Sequence, residues 1–220
     1  VGANVRNDAV GTVGLYRTRR RQFLDAIRRD TIGQTTVGLF GQSEIEWSSR
    51  FRTTLGLRGD VYRYSVNALR PLNTGTGVTG LVSPKVTVVL GPWKATEVYL
   101  NYGQGYHSND ARAATTVVDP ISGEPVKSEN PLVPARGGEF GLRSVAVSGL
   151  QTTMALWYLA LDSELIFVGD AGIAEASRPS QRYGLEWTNY LKLTEWLVGE
   201  FDVSVSHAEF SDDDPAGSLI

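Results

Sequence analysis

The stretch ATEVYLNYGQGYHSNDAR, residues 95–112, alternates apolar and polar side chains and then ends in small and charged residues. This alternation has the period of two that a β-strand imposes, since successive side chains point to opposite faces. The two sets that it separates are Val98, Leu100 and Tyr102 on one face and Glu97, Tyr99 and Asn101 on the other. The apolar face must be covered either by a packed protein core or by lipid. The pattern of the remaining strands and connections helps to distinguish these two possibilities.

The same alternation recurs along most of the 220 residues, and we count about nine strands. Clear examples are TTVGLFGQSEIEW at 35–47, FRTTLGLRGDVYRY at 51–64 and SPKVTVVLGPW at 83–93. Helical apolar stripes are almost absent. The longest apolar run, MALWYLAL at 154–161, is far shorter than the roughly 20 residues of a membrane-spanning helix. The sequence therefore predicts an all-β, antiparallel fold.

The connections between these strands alternate in length. Short turns are predicted at 48–50, 91–94, 147–149 and 193–195, and long polar loops at 17–34, 66–80, 107–134 and 169–180. Short turns on one edge and long loops on the other are typical of up-and-down transmembrane barrels. A soluble propeller or sandwich is the alternative, because blade repeats have a similar spacing.

Aromatic residues collect near the predicted short turns. Trp47, Trp93 and Trp196 all lie there. Tryptophan accumulates where membrane meets water, because its ring is apolar and its N–H needs a partner. These three residues predict a membrane-interface belt, although tryptophans could also close the end of a soluble core.

Charged residues occupy the other face in mid-strand. Eight of them are Glu44, Arg58, Asp60, Lys85, Glu97, Glu139, Arg143 and Glu186. Charges at this density cannot face hydrocarbon without large desolvation costs. We expect them to line a polar lumen; in a soluble sheet they would form the solvated outer face.

Composition excludes several classes of function. The net charge of −3 argues against a nucleic-acid binder, and the chain has no cysteine for thiolate chemistry. Only two histidines are present, and neither belongs to a catalytic or metal-binding motif. We expect no enzyme activity, no metal centre and no cofactor.

Several stretches resemble successive barrel segments of TonB-dependent outer-membrane receptors. They are QTTVGLFGQSEIEWSSRFRTTLGLRGDVY, SPKVTVVLGPWKATEVYLNYGQGYHSNDAR, ARGGEFGLRS followed by LWYLALDSELIFVGDAG, and SRPSQRYGLEWTNYL. The resemblance covers nearly the whole chain from about Arg6 onward. It implies a bacterial outer-membrane barrel of about 22 strands closed by an N-terminal plug domain. It also implies uptake of a scarce ligand, such as a ferric siderophore or cobalamin, with energy supplied by TonB.

The resemblance implies partners as well. These are the TonB complex of the inner membrane acting through a plug, lipid and lipopolysaccharide, and a small-molecule or metal-chelate ligand, with no nucleic acid. At roughly 23 residues per strand and loop, 220 residues supply nine or ten strands of a larger barrel. We therefore expect residues 1–220 to be an internal part of the barrel domain, without the plug or the C-terminal strands. A passive porin and a soluble all-β binding module are the alternatives.

Two polar stretches could contact a ligand or a surface. HSNDAR at 107–112 would bring His107, Asn109, Asp110 and Arg112 to the outer mouth, where they could bind ligand or latch the plug. The alternative is that they only anchor the end of the strand. RTRRR at 17–21 would lie in an outward-facing loop, where it could contact lipopolysaccharide phosphates or could simply be solvated.

Overall fold

The computed structural model describes residues 1–163, 165–168, 173–213 and 217. These residues form eleven β-strands, one short α-helix, α1 (Ala111–Thr115), and one 3₁₀ helix (Pro71–Asn73). The strands are β1 (Gly2–Arg19), β2 (Gln22–Ser48), β3 (Phe51–Asn67), β4 (Gly75–Trp93), β5 (Thr96–Ser108), β6 (Leu132–Ser144), β7 (Leu150–Leu161), β8 (Leu165–Val168), β9 (Ile173–Ala176), β10 (Ser180–Lys192) and β11 (Val198–Phe210).

Nine of these strands form one sheet in chain order. Its order is β1-β2-β3-β4-β5-β6-β7-β10-β11, and every neighbouring pair is antiparallel. The two short strands β8 and β9 pair with each other inside the connection from β7 to β10. The prediction of an all-β, up-and-down arrangement with about nine strands is confirmed.

The connections fall on two edges of the sheet. The short ones, residues 49–50, 94–95, 145–149 and 193–197, share one edge, which we call the turn edge. Longer ones, residues 68–74, 109–131 and 162–179, lie on the opposite edge, the loop edge. Of the loop predicted at 66–80, residues 75–80 belong to β4, and of the loop predicted at 169–180, residues 169–172 lie outside the described part of the chain.

The prediction of a loop over residues 17–34 is wrong. β1 and β2 remain paired as far as Arg19 opposite Gln22, so only Arg20 and Arg21 form the turn. Residues 16–25 are exposed on both faces of this hairpin, whereas Arg28, Asp30 and Ile32 nearer the sheet are buried. The outer part has no buried face, and two of these three buried residues are charged, so the apolar alternation that would indicate a strand is lost.

The register fixes which side chains share a face. Glu97 lies opposite Arg143, and Asn101 opposite Glu139, so each pair projects on the same side. Followed across the sheet, the register puts all eight charged residues named from the sequence on one face, which we call the polar face.

The opposite face is apolar and uncovered. Large exposed side chains on this apolar face include Leu39, Leu57, Leu100, Phe140, Leu156, Phe201 and Val205, each more than half exposed. Monomeric soluble proteins rarely expose apolar patches of more than a few hundred Å². Buried apolar residues are few by comparison, and one small cluster of them lies near the loop edge, where Ile32 and Val66 pack against Ala111 of α1.

The ladder between β4 and β5 stops partway along both strands. It runs from Trp93 opposite Thr96 to Lys85 opposite Gly103, whereas β4 continues to Gly75 and β5 to Ser108. The next residue of β4 is Pro84, which has no N–H to donate to a ladder. Beyond this point β5 leaves β4, and the chain carries α1 over the polar face to β2 and β3.

Among the described residues, no helix is both long and apolar enough to cross a membrane.

Candidate functional site

A cavity of about 630 Å³ lies on the polar face toward the loop edge. Four strands and the end of β5 supply its wall, which consists of Asn4, Arg6, Thr36, Arg58, Ser83, Gln104, Gly105, Tyr106, His107 and Ser108. Volumes of roughly 300–1,000 Å³ are typical of small-molecule sites. We call this the loop-edge cavity.

Arg58 is held firmly at the wall of this cavity. Its Nε and Nη2 atoms donate hydrogen bonds to Asp60 Oδ2 and Oδ1, both at 2.6 Å, and Nη2 also donates to Asn4 Oδ1 at 2.9 Å. The Asp60 side chain is completely buried, and the guanidinium carbon lies 5.8 Å from the centre of the Phe40 ring. A bidentate pair fixes the plane of the guanidinium, so Arg58 presents a cation in one orientation.

Two buried polar atoms in the cavity wall have no hydrogen-bond partner in the described protein. They are Oγ of Ser83 and Nε2 of His107. Buried polar groups are nearly always hydrogen-bonded, so these two atoms keep unused hydrogen-bonding capacity in the cavity wall. A hydroxyl and an imidazole can both donate or accept, which suits contact with a polar ligand.

The other three residues predicted beside His107 do not line the cavity. Asn109 is buried, and its side chain donates to the Asn130 carbonyl at 2.8 Å. Asp110 caps the N-terminus of α1 by accepting from the Arg112 backbone N–H at 2.9 Å, and it also accepts from the Arg112 guanidinium at 2.5 Å. These hydrogen bonds lie within residues 109–131, which we call the covering loop.

The electrostatics of Asp110 follow from these contacts. Burial is the largest influence and acts to raise the pKa of its carboxyl group. Hydrogen bonds from the Arg112 side chain and backbone, together with the positive charge, outweigh burial, and the pKa is lowered overall. The carboxyl group is therefore ionised in the folded loop at neutral pH.

Buried polar groups tie the covering loop to β2 and to the 3₁₀ helix. Arg28 of β2 donates from Nη2 to Thr116 Oγ1 at 3.2 Å. The Asn73 side chain, almost fully buried, accepts from the backbone N–H groups of Val117 and Val118 at 3.0 Å and donates to the Val118 carbonyl at 2.8 Å. Sequence reasoning missed both anchors, because neither residue stands in a recognisable motif.

Nearer the turn edge, the polar face carries a charged network. Glu97 accepts two hydrogen bonds from Arg52, at 2.8 and 3.1 Å, and one from Arg143 Nε at 2.6 Å. The Tyr99 hydroxyl donates to Glu139 at 2.6 Å. Hydrogen-bonded charges in mid-strand satisfy one another in a polar interior but would be costly against hydrocarbon.

Aromatic side chains mark two levels of the apolar face. Trp47 and Trp93 lie at the turn-edge ends of β2 and β4, and Trp196 lies within the connection 193–197; they are 60%, 46% and 82% exposed. A second level was missed from the sequence, because it appears only once the register is known. It is a cross-strand row in which Tyr102 pairs with Gly138, Gly138 with Tyr158, Tyr158 with Tyr183, and Tyr183 with His207.

The spacing between the two levels matches a membrane. Tyr183 lies nine residues before Lys192, the end of β10 at the turn edge. A transmembrane β-strand needs about 9–11 residues to cross the hydrocarbon layer. Girdles of aromatic residues at both interfaces are a feature of transmembrane barrels.

Taken together, the strand order, the two faces and the two edges define a section of the wall of an up-and-down antiparallel β-barrel. The family described as "TonB dependent receptor-like, beta-barrel" matches residues 1–218. The chain belongs to this family of receptors, whose members are outer-membrane β-barrels. No curated protein matches the chain in sequence.

Solved structures of similar fold are transporters and receptors by their descriptions. The copper transporter OprC has a TM-score of 0.69 and 17% identity, over 92% of this chain and 33% of OprC. The ferric yersiniabactin uptake receptor FyuA from Yersinia pestis has a TM-score of 0.65 and 15% identity, over 89% of this chain and 30% of FyuA. The ferric preacinetobactin receptor BauA from Acinetobacter baumannii has a TM-score of 0.62 and 15% identity, over 91% of this chain and 29% of BauA.

The chain spans about a third of the length of these structures. The family and the named structures are receptors and transporters rather than enzymes, in agreement with the sequence. Within the described residues, no group of three or more His, Asp or Glu side chains is arranged to hold a metal ion.

Proposed function

We propose that this chain is part of the barrel wall of a receptor that takes up a scarce ligand across the bacterial outer membrane. The observation that carries the proposal is the loop-edge cavity, in which a fixed cation and two unsatisfied polar atoms face the polar side of a barrel wall. In this assignment the apolar face meets lipid, the polar face lines the lumen, and the loop edge faces the exterior. Trp47, Trp93 and Trp196 then lie at the inner interface.

The ligand class that we propose is a metal chelate, such as a ferric siderophore. Copper, ferric yersiniabactin and ferric preacinetobactin appear in the descriptions of the three similar structures. Arg58, although paired with Asp60, supplies guanidinium N–H groups to the cavity wall, and His107 and Ser83 supply further hydrogen-bonding atoms. Such groups suit the carboxylate, phenolate and hydroxamate oxygens of chelators.

The energy source that we propose is TonB, acting through a plug domain elsewhere in the same receptor. Residues 1–220 would form part of the barrel domain around that plug. Glu44 and Glu186 project from the polar face and have no ion pair among the described residues, which leaves them available to a plug. Lipid and lipopolysaccharide would surround the apolar face.

The test is uptake of radioactive iron and copper by metal-starved cells that carry the intact receptor, with TonB present or depleted. We expect uptake that needs both the receptor and TonB. The double variant Ser83→Ala with His107→Ala should weaken chelate uptake at least several-fold, whereas Leu100→Ala on the apolar face should leave it unchanged. Uptake that is equal with and without TonB, together with faster entry of unrelated small solutes, would indicate a passive porin instead.

A further inference from the structure

The β1–β2 hairpin continues well beyond the rest of the sheet at the loop edge. β2 pairs with β3 only from Thr31 opposite Asn67, whereas β1 and β2 remain paired as far as Arg19 opposite Gln22. Because a strand rises about 3.3 Å per residue, the hairpin reaches roughly 30 Å past β3. We call residues 11–30 the basic arm.

The charge of this arm is opposite to that of the chain. Residues 16–29 contain six arginines and one acidic residue, Asp25, whereas the whole chain has a net charge of −3. Arg28 is buried against Asp30, and the five exposed arginines are Arg17, Arg19, Arg20, Arg21 and Arg29. The positive charge is therefore concentrated at the far end of the arm.

Most of this charge is not neutralised by the protein itself. Arg17 lies 3.4 Å from Asp25 in an exposed pair, a kind of contact that contributes little. Arg19, Arg20 and Arg21 have no ion pair within the described residues. Concentrated, exposed charge of this kind attracts a polyanion and raises its rate of association.

The turn itself uses residues that its backbone does not favour. Arg20 and Arg21 have φ angles of 50° and 67°, both in the left-handed region. Two-residue hairpin turns with this conformation strongly prefer Asn-Gly, because side chains larger than glycine are strained there. The sequence thus keeps two guanidinium groups at the tip of the arm against the backbone preference of the turn.

Exposed apolar rings accompany the arginines. Tyr16 and Phe23 meet edge to face with ring centroids 5.8 Å apart, and they are 43% and 63% exposed. Guanidinium groups bind phosphate and carboxylate oxygens in pairs, and aromatic faces can pack against the C–H groups of sugar rings. The combination suits a carbohydrate that bears anionic groups.

We propose that the basic arm binds an anionic carbohydrate, a sugar chain carrying phosphate or carboxylate groups, outside the lipid layer. This inference rests on the proposed function in one respect: it assumes that the loop edge faces the outside of the cell. The length of the arm decides between sugar chains and lipid headgroups, because its tip lies far from the row of tyrosines that marks the membrane interface. This role is separate from ligand binding in the loop-edge cavity.

The experiment measures binding of purified, intact receptor in detergent to the polysaccharide part of lipopolysaccharide, released from its lipid and immobilised. The variant is Arg20→Asn with Arg21→Gly, which removes two charges and gives the turn its preferred residues. The matched control is Lys94→Asn with Ala95→Gly. That turn has the same conformation, with φ angles of 50° and 60°, but lies on the opposite edge.

We expect the tip variant to bind at least tenfold more weakly while unfolding no more readily than the unaltered receptor. The control should bind unchanged, binding should weaken steeply with added salt, and neutral polysaccharide stripped of both its phosphate and its carboxylate groups should not bind. Equal affinity of tip variant and unaltered receptor would overturn the proposal. Stronger binding to lipid A vesicles than to the polysaccharide would also overturn the proposal, because the arm would then bind lipid headgroups.

Metal uptake by cells with the tip variant separates this proposal from the proposed function. Uptake should persist in the tip variant, because the arm does not line the loop-edge cavity. A receptor that transports no chelate but still binds polysaccharide through its tip would refute the uptake role alone. A receptor that transports chelate normally and binds no polysaccharide would refute only the proposal that the basic arm binds an anionic carbohydrate.

Discussion

Arg28 donates a 2.9 Å hydrogen bond from Nε to Oδ2 of Asp30, and the two side chains are only 7% and 2% exposed. The pair lies beneath the covering loop, where Arg28 also reaches Thr116 and the Asp30 carboxylate accepts from the Leu69 backbone N–H at 3.4 Å. A buried ion pair is costly to desolvate, but removing one partner leaves the other charge uncompensated.

Replacing Asp30 by alanine should therefore loosen the covering loop. The expected cost is about 3–5 kcal/mol, because the buried Arg28 guanidinium would lose its charged hydrogen bond to Asp30. Hydrogen exchange of the loop amides, measured by mass spectrometry, should show protection lost first around Thr116. Asp25→Ala serves as the control, since its exposed pair with Arg17 should be worth less than about 1 kcal/mol. Equal protection in both variants would show that the buried pair does not hold the loop.

Asn73 offers a second test of the same loop. Asn73→Ala removes three hydrogen bonds and leaves the partly buried backbone N–H groups of Val117 and Val118 without their acceptor, at a cost of about 1–3 kcal/mol. Asn73→Asp keeps the oxygen that accepts from both N–H groups but loses the donor to the Val118 carbonyl. Exchange at Val117 and Val118 should rise strongly in the alanine variant and less in the aspartate variant. The opposite order would mean that the donated bond is the important one.

The faces and the turn edge were predictable because each depends on local sequence. A strand with one apolar and one charged face alternates strictly, so Leu100 and Asn101 could be assigned to opposite sides before any pairing was known. Short turns followed from the gaps between alternating runs. The alternation and the turn positions can both be read without knowing which strand lies next to which.

Features that depend on contacts between distant segments were not predictable. The tyrosine row needs the register of five strands, and no segment by itself shows it. α1 is only five residues long, and its packing on Ile32 and Val66 decides its position rather than its helix propensity. The same reason explains why Asn109, Asp110 and Arg112 looked like candidate ligand contacts in sequence, yet make their hydrogen bonds within the covering loop.

The covering loop should also loosen in acid. The pKa of Asp110 is lowered in the folded loop, so its contribution to stability is complete above the unfolded value of about 4 and is lost as pH falls through the folded value. The pKa of Asp119 is lowered too: burial, its largest influence, would raise it, but hydrogen bonds from Ser122 and Ile121 prevail. Protection of the loop amides should therefore decline below about pH 4.

Asp110→Asn isolates the contribution of this one carboxyl group. The variant should already be less protected at neutral pH, because its amide cannot pair with the charge of Arg112. Its protection should change less with acid than that of the unaltered loop, with the remaining change due to Asp119. If amide protection in the variant declined in acid as much as in the unaltered loop, Asp110 would not contribute to the acid sensitivity.

The facing of the strands can be measured at two adjacent residues of β5. Spin labels on cysteines at Leu100 and Asn101 would project from opposite faces, and neither residue has a side-chain hydrogen bond among those found in the described residues. In lipid vesicles, the label at Leu100 should be relaxed mainly by oxygen, which concentrates in lipid, because that position faces hydrocarbon. The label at Asn101 should respond more to a water-soluble nickel chelate, or to neither reagent if a plug covers it. Equal access of oxygen to both labels would contradict a barrel wall with lipid on one side only, and would instead favour the soluble sheet whose two faces both meet water.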